Sequence, residues 1–258
     1  MRRSEWGGRV AQTALGLFAA SQRRADRAAA GRLMGVVANS HHVAGRISRW
    51  WQRDAVVVPP PVDTVWFSPD GARPRDDFFL LAGRLVPYKK PDIAVEAARK
   101  ANVRLVVAGD GRARQSVERI AGPRTEFIGR VDDEMLRDLY RRCRALLFPG
   151  EEDFGIIPVE AQACGTPVIA PAFGGVLDTV IDGTTGVLYD PRGDQATTLA
   201  NVLRTFDDRA FDRDAIRAHA QGFAPERFRE RFARTVADIL AGDARDTPPS
   251  RSRTDSPV

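Results

Sequence analysis

Six short apolar runs recur along this 258-residue chain, and their spacing leaves little choice of fold. They occupy residues 78–82, 103–108, 125–129, 145–148, 168–170 and 186–189. Most are continuous rather than alternating, as expected of strands buried on both faces of a parallel sheet. Helical patterns fill the intervals. Strands that alternate with helices predict a doubly wound, Rossmann-like α/β sheet. In such sheets ligands collect outside the carboxyl ends of the strands. The residues just after each run are therefore the ones to read for chemistry.

The stretch EEDFGIIPVEAQACGTPVIA, residues 151–170, follows the fourth run. A helix starting near Gly155 would point its free N–H groups at whatever sits beyond the strand end, and helix N-termini favour anions such as a diphosphate. Glu160 falls about one and a half turns into that helix. Glu152 stands in the loop before it. Taken alone, the two acids also fit a helix whose first turn is acidic and stabilised by its dipole.

After the first run come Gly83, Arg84 and Lys89, with Lys90 heading the next helix. Gly83 lets the chain turn, and two cations over the sheet edge suit a diphosphate. They could equally be surface cations that cap carbonyls. Gly109-Asp110-Gly111 opens the next helix after a tight turn, which by itself explains the glycines. Gly129-Arg130 ends the third run. No metal site is expected. His41 and His42 lack spaced partners and read as helix-start residues after the Asn39-Ser40 cap, and the Asp132-Asp133-Glu134 cluster charges a helix N-terminus.

The pattern Glu-x-Phe-Gly, Pro-x-Glu-Ala, Gly-Thr-Pro-Val-Ile-Ala resembles the Glu-x7-Glu signature of family 4 retaining glycosyltransferases, which have the GT-B fold. The resemblance covers roughly residues 33–240. It implies transfer of a hexose from a nucleotide diphosphate sugar, with retention and without a cofactor. By the same resemblance Arg84 and Lys89 meet the donor diphosphate, and Glu152 holds the sugar with the backbone N–H groups of Phe154, Gly155 and Ile156. Glu160 binds the ribose. Gly83, Gly109, Gly129 and Arg130 lie beside the nucleotide, with the backbone after the third run holding the base. The wording EDFGIIPVEAQACGTPVIA is closest to mannosyltransferase-like members, which implies GDP-mannose as donor and a sugar or lipid-linked acceptor. One departure is Asp178, where the family usually has Glu three residues after the second glycine of Phe173-Gly174-Gly175.

The rest of the sequence frames that expectation. Pro59-Pro60-Pro61 forbids regular structure and marks a linker or hinge. Residues 1–58 read as a remnant of an N-terminal acceptor domain with its crossover. Residues 59–77 read as a linker, 78–240 as the donor-binding domain and 241–258 as a disordered tail. A full N-terminal domain needs well over ~100 residues, so the chain is expected to be the donor half of such an enzyme. Its last helix would then leave Phe228, Phe232 and Ile239 exposed. A nucleotide-sugar-binding subunit of a split enzyme and an inactive remnant stay open as alternatives.

Residues 1–53 hold ten arginines against Glu5 and Asp26, a balance of +8, while the whole chain carries +5. A basic end rather than a basic main face argues against a nucleic-acid partner. It permits peripheral membrane contact through this segment, although a solvated helix explains it as well. Two cysteines, Cys143 and Cys164, make no disulfide framework and suggest a reducing compartment. With no secretory signal and no run near the ~18 apolar residues of a span, a cytoplasmic location is expected.

Overall fold

The structure, a computed structural model, describes residues 5–71 and 74–246. Its contacts form two compact units. The smaller gathers the chain up to Ala38, Ala44–Val58 and the chain from Arg229 onward; the larger comprises Asn39–Val43 and Pro59–Phe228.

In the smaller unit, α1 (Glu5–Ala30) is one continuous helix. Strand β1 (Val37–Ala38) leads to α2 (His41–Trp51), whose first turn groups with the larger unit, and then to β2 (Val56–Val57). The two strands pair in parallel, Val37 with Val56 and Ala38 with Val57. The last carbonyls of a helix have no partner within it. Here Arg53 supplies one, its Nη1 donating to Ala30 O at 3.0 Å and its Nη2 to Leu33 O at 2.9 Å.

The larger unit holds the sheet. In chain order it runs β3 (Phe79–Ala82), α3 (Pro91–Ala101), β4 (Leu105–Ala108), α4 (Arg114–Glu118), β5 (Thr125–Gly129), α5 (Asp133–Arg142) and β6 (Leu146–Leu147). There follow α6 (Ile156–Ala163), β7 (Val168–Pro171), β8 (Gly186–Tyr189), α7 (Gln195–Thr205) and α8 (Arg213–Ala220). The strand order is β5-β4-β3-β6-β7-β8, parallel throughout. The chain winds outward from β3 on one side, then crosses back and winds outward from β6 on the other. The point of reversal lies between β3 and β6, where a crevice opens in such sheets.

Successive strand residues point to opposite faces. Leu80, Val106, Leu146 and Val168 join one apolar cluster with residues of α5, α6 and α8. Phe79, Leu81, Leu105, Val107, Leu147 and Ile169 join another with α3 and α7. Both faces are covered, which is why the sequence runs are continuous rather than alternating.

Some segments differ from the sequence reading. Helix α4 begins at Arg114 rather than at the Gly-x-Gly turn, because the backbone there pairs with the neighbouring loop instead. Leu85 N donates to Asp110 O and Ala113 N to Leu85 O, both at 3.0 Å. Residues 59–71 contain no strand, yet Val62, Thr64 and Phe67 are buried in the larger unit. Arg137 stacks over Trp66 at 4.1 Å, and Arg141 Nε donates to Ser68 O at 2.6 Å. The final helix, α9 (Pro225–Asp246), runs six residues into the stretch read as a tail; the rest of that stretch, 247–258, lies outside the described residues. Phe232 is exposed, but Ile239 is half-buried beside Gly35, where a Cβ would come within 2.6 Å of its Cδ1. No described helix is long and apolar enough to cross a membrane.

Candidate functional site

Three loops meet at the carboxyl ends of β3, β4 and β5. Gly83 N donates to Ala108 O at 2.9 Å, and Gly109 N to Gly129 O at 2.6 Å. Gly109 has φ +151°, and a Cβ there would lie 1.9 Å from Gly83 O. No side chain fits, so the loops close side by side and leave open space above them. A cavity of about 330 Å³ lies there, lined by Gly83, Arg84, Gly109, Arg130, Val131 and Leu136 among others. The arginines are exposed.

The next cleft lies at the reversal point. Gly83, Arg84 and Lys89 line it from the loop after β3, and Gly150 and Glu152 from the loop after β6. The two loops touch: a Cβ on Gly150 would come within 2.7 Å of Lys89 Cα. Lys89 Nζ stands 2.7 Å from Glu152 Oε1. That oxygen is buried and makes no aligned hydrogen bond, so the pair is an ion contact rather than a directed bond. Lys90 instead caps α3 in a left-handed conformation and lays its ammonium over Phe173, 5.1 Å from the ring centre. Arg84 Nη2 lies 3.4 Å from the Tyr88 hydroxyl.

Beyond Glu152 the chain turns into α6. Gly155, at φ +87°, is the N-cap and carries no capping side chain, so no side chain of the cap occupies the helix's leading N–H groups. Phe154 turns away into the core, edge-on to Phe223 at 5.7 Å, which anchors the turn. Ile156 is exposed. The Phe173–Gly175 loop is seated directly on this turn. Gly175 N donates to Glu152 O at 2.9 Å, and a Cβ on Gly175 would lie 2.2 Å from Asp153 O.

Glu160 lines neither cavity wall named above. It is half-buried between α6 and α5, with Oε2 accepting a hydrogen bond from the Tyr140 hydroxyl at 3.0 Å. Burial pushes its carboxyl above the ordinary value, the tyrosine bond pulls it back, and Asp133 pushes it up again.

The sequence reading missed how residues 40–42 serve this region. Ser40 caps α2 by accepting from Val43 N at 3.1 Å, and the same hydroxyl donates to Asp153 O. Asp178 accepts from His41 N at 2.6 Å, with His41 Nδ1 3.1 Å from its other oxygen. His42 Nε2 lies 3.5 Å from Glu151. The histidines do start a helix, and they also meet the acids of the loops that carry Glu152 and Gly175. The Ser40 cap was legible; its second partner, 113 positions away, was not.

A larger cavity, of about 590 Å³, opens elsewhere, beside the residues that precede β3 and β6. Its charges answer one another: Arg144 reaches Asp208 at 3.1 Å and Asp77 at 3.3 Å, and Arg75 reaches Asp208 at 3.6 Å. That is a structural network at the wrong end of the sheet for ligand chemistry. Among the described residues no three His, Cys, Asp or Glu side chains gather as a metal site.

Comparison with known proteins places the arrangement. The profile of the family described as glycosyl transferases group 1 matches residues 63–222. The D-inositol 3-phosphate glycosyltransferase of Mycolicibacterium smegmatis is 36% identical over 225 residues, covering 78% of this chain and 50% of that protein. The chain spans about half the length of the curated relatives it matches. Among solved structures, sucrose-phosphate synthase from Thermosynechococcus elongatus superposes with a TM-score of 0.72 at 25% identity, covering 86% of this chain and 62% of that one. HepE of Anabaena in complex with UDP and glucose gives 0.70 at 21% identity, covering 84% and 67%.

Proposed function

The chain belongs to the glycosyl transferases group 1 family, and from that premise we propose that it carries the donor site of a retaining hexosyltransferase. The donor is a nucleoside diphosphate hexose lying along the carboxyl edge of the sheet. The observation that carries this reading is the meeting of Lys89 and Glu152 at the reversal point, beside Arg84 and the start of α6.

The assignment of parts follows from charge. As the bond between the anomeric carbon and the diphosphate oxygen breaks, negative charge grows on the leaving diphosphate. Fixed donors and cations aimed at that charge lower the barrier. Arg84, Lys89 and the N–H groups at the start of α6 are placed to do this, with no metal or cofactor needed in the scheme. Glu152, with the N–H groups of Phe154 to Ile156, holds the sugar hydroxyls. When donor binds, Lys89 would divide its charge between Glu152 and the phosphate. Glu160 accepts from the ribose hydroxyls. The nucleobase occupies the cavity beside Gly109, Arg130 and Val131. The acceptor hydroxyl oxygen attacks the anomeric carbon on the face the diphosphate leaves and passes its proton to the departing diphosphate oxygen, which retains configuration.

The mannosyl wording of residues 152–170 made GDP-mannose the first expectation. The relatives' names point to another acceptor and specify no mannose: the mycobacterial protein is named for D-inositol 3-phosphate. A structural neighbour was solved with UDP and glucose. A phosphorylated inositol and a UDP-hexose are therefore tested beside GDP-mannose and lipid-linked acceptors. Calorimetric titration with GDP-mannose, UDP-glucose, GDP and UDP identifies the donor. Transfer to D-inositol 3-phosphate, with the product's anomeric configuration read by NMR, tests acceptor and stereochemistry. Failure to bind any nucleoside diphosphate or its sugar would sink the donor-site reading, and an inverted product would sink retention.

A further inference from the structure

Tyr140, on α5, is the bulkiest of the fully buried side chains and is wholly shielded from solvent. Its ring lies edge-on to Phe67, with centres 5.8 Å apart. Its main-chain oxygen accepts from the hydroxyl of Thr166 and the thiol of Cys143. The residue is fixed at both ends before its own hydroxyl is considered. That hydroxyl is spent on one partner, Oε2 of Glu160, at 3.0 Å.

The chemistry of the pair runs one way. Burial pushes the phenol well above its ordinary pKa, and the adjacent carboxylate pushes it further. Tyr140 therefore stays protonated, and facing the ionised carboxylate it donates along this bond. Glu160 must accept on Oε2, which leaves Oε1 as the oxygen without a protein hydrogen bond among the described residues. A carboxylate on a flexible side chain would otherwise present either oxygen in any plane. Held at one oxygen by a rigid donor, it offers the other in one direction.

We propose that Tyr140 is a positioning residue for nucleotide recognition: its hydroxyl fixes the Glu160 carboxylate so that the second oxygen meets the ribose hydroxyls. This rests on the reading that Glu160 binds the ribose. It adds a residue outside the Glu-x7-Glu pattern, on a different helix, that decides whether the second glutamate of that pattern is usable.

The test measures dissociation constants for UDP and GDP and for their 2′,3′-dideoxy counterparts. Wild type should favour the ribose form. Tyr140→Phe keeps the ring and loses one donor to a charged group, so ribose-form affinity should fall by about tenfold. Dideoxy affinity should hold, and the ratio between the two forms should collapse. In a Glu160→Ala background, adding Tyr140→Phe should change neither. Replacement of Tyr140 by 4-aminophenylalanine, which restores a donor on the same ring, should restore the ratio, and it serves as the reading if Tyr140→Phe does not fold. An equal loss for both nucleotide forms, an unchanged ratio, or a Tyr140→Phe effect that persists without Glu160 would overturn the proposal. Wild type that binds neither nucleotide, or binds without preferring the ribose form, would overturn the ribose reading and this proposal with it.

Discussion

Replacing Gly175 by alanine tests whether the loops after β6 and β7 form one rigid contact. Gly175 has no left-handed backbone to protect, so an alanine there meets only a question of space. Its Cβ would lie 2.2 Å from Asp153 O, 2.4 Å from Asp153 C and 2.5 Å from Phe154 Cα. All three are backbone atoms, which cannot rotate aside as a side-chain tip can. The gap to Asp153 O must open by about 1.2 Å to reach the 3.4 Å at which ordinary contact begins. The Gly175–Glu152 hydrogen bond at 2.9 Å and the Ser40–Asp153 hydrogen bond both resist that movement. Overpacking of this kind costs about 1–3 kcal/mol. At ~2–4 °C per kcal/mol for a domain of this size, the melting temperature should fall by roughly 2–12 °C. The turn that carries Glu152 and the start of α6 moves with Asp153, so donor affinity should fall at least about tenfold, the loss of one good polar contact. Calorimetric titration and thermal melts on Gly175→Ala measure both. Gly222→Ala is the control, since nothing lies within 4 Å of its added Cβ. If Gly175→Ala melts and binds like wild type, the loops are not in rigid register and the argument fails.

Arg84→Ala and Lys89→Ala should each weaken a nucleoside diphosphate more than the matching monophosphate, and EDTA should leave wild-type binding unchanged; titrations of both nucleotides, with and without chelator, check this. Glu160 has its pKa raised in the folded state by burial. It therefore costs stability where it is ionised, above that pKa, and the cost disappears as pH falls below the unfolded value. Glu160→Gln should accordingly raise the melting temperature near pH 8, lose that advantage near pH 4, and bind nucleotide worse. Melts that show a pH-independent difference would contradict the burial argument. Burial pushes the thiol of Cys164 up to about 12 and that of Cys143 higher still, so iodoacetamide followed by mass spectrometry should label neither until the protein is unfolded.

The sheet was legible because both of its faces are covered. Phe79–Ala82 and Leu105–Ala108 have no polar side to disguise them, and the four-residue strands sit inside the longer runs read from sequence. Lys89 and Glu152 were each read as following a different apolar run; that those two strands adjoin and bring the side chains together is seen only in the fold. Other features depended on where separate elements settle. Nothing near Tyr140 in the chain announces that its hydroxyl will meet a glutamate on the next helix. Asp178 stood out only as a shortened acid, and its work of receiving His41 across 137 positions has no local sign. The Gly-x-Gly turn misled in a physical way: Leu85's backbone takes up the groups that would have begun a helix there.

The bond from Ser40 to Asp153 also sets an order of events during synthesis. Closing a loop of 113 residues costs about 4 kcal/mol of chain entropy beyond a constant, by the logarithmic rule. No single hydrogen bond repays that, so the contact can form only after the intervening strands have drawn its ends together. At ~5–20 residues per second on the ribosome, Ser40 waits roughly 6–23 s for its partner to emerge. Until then Asn39–Val43 lacks this partner, and the turn that carries Asp153 gains the Ser40 contact only once its flanking strands are in place.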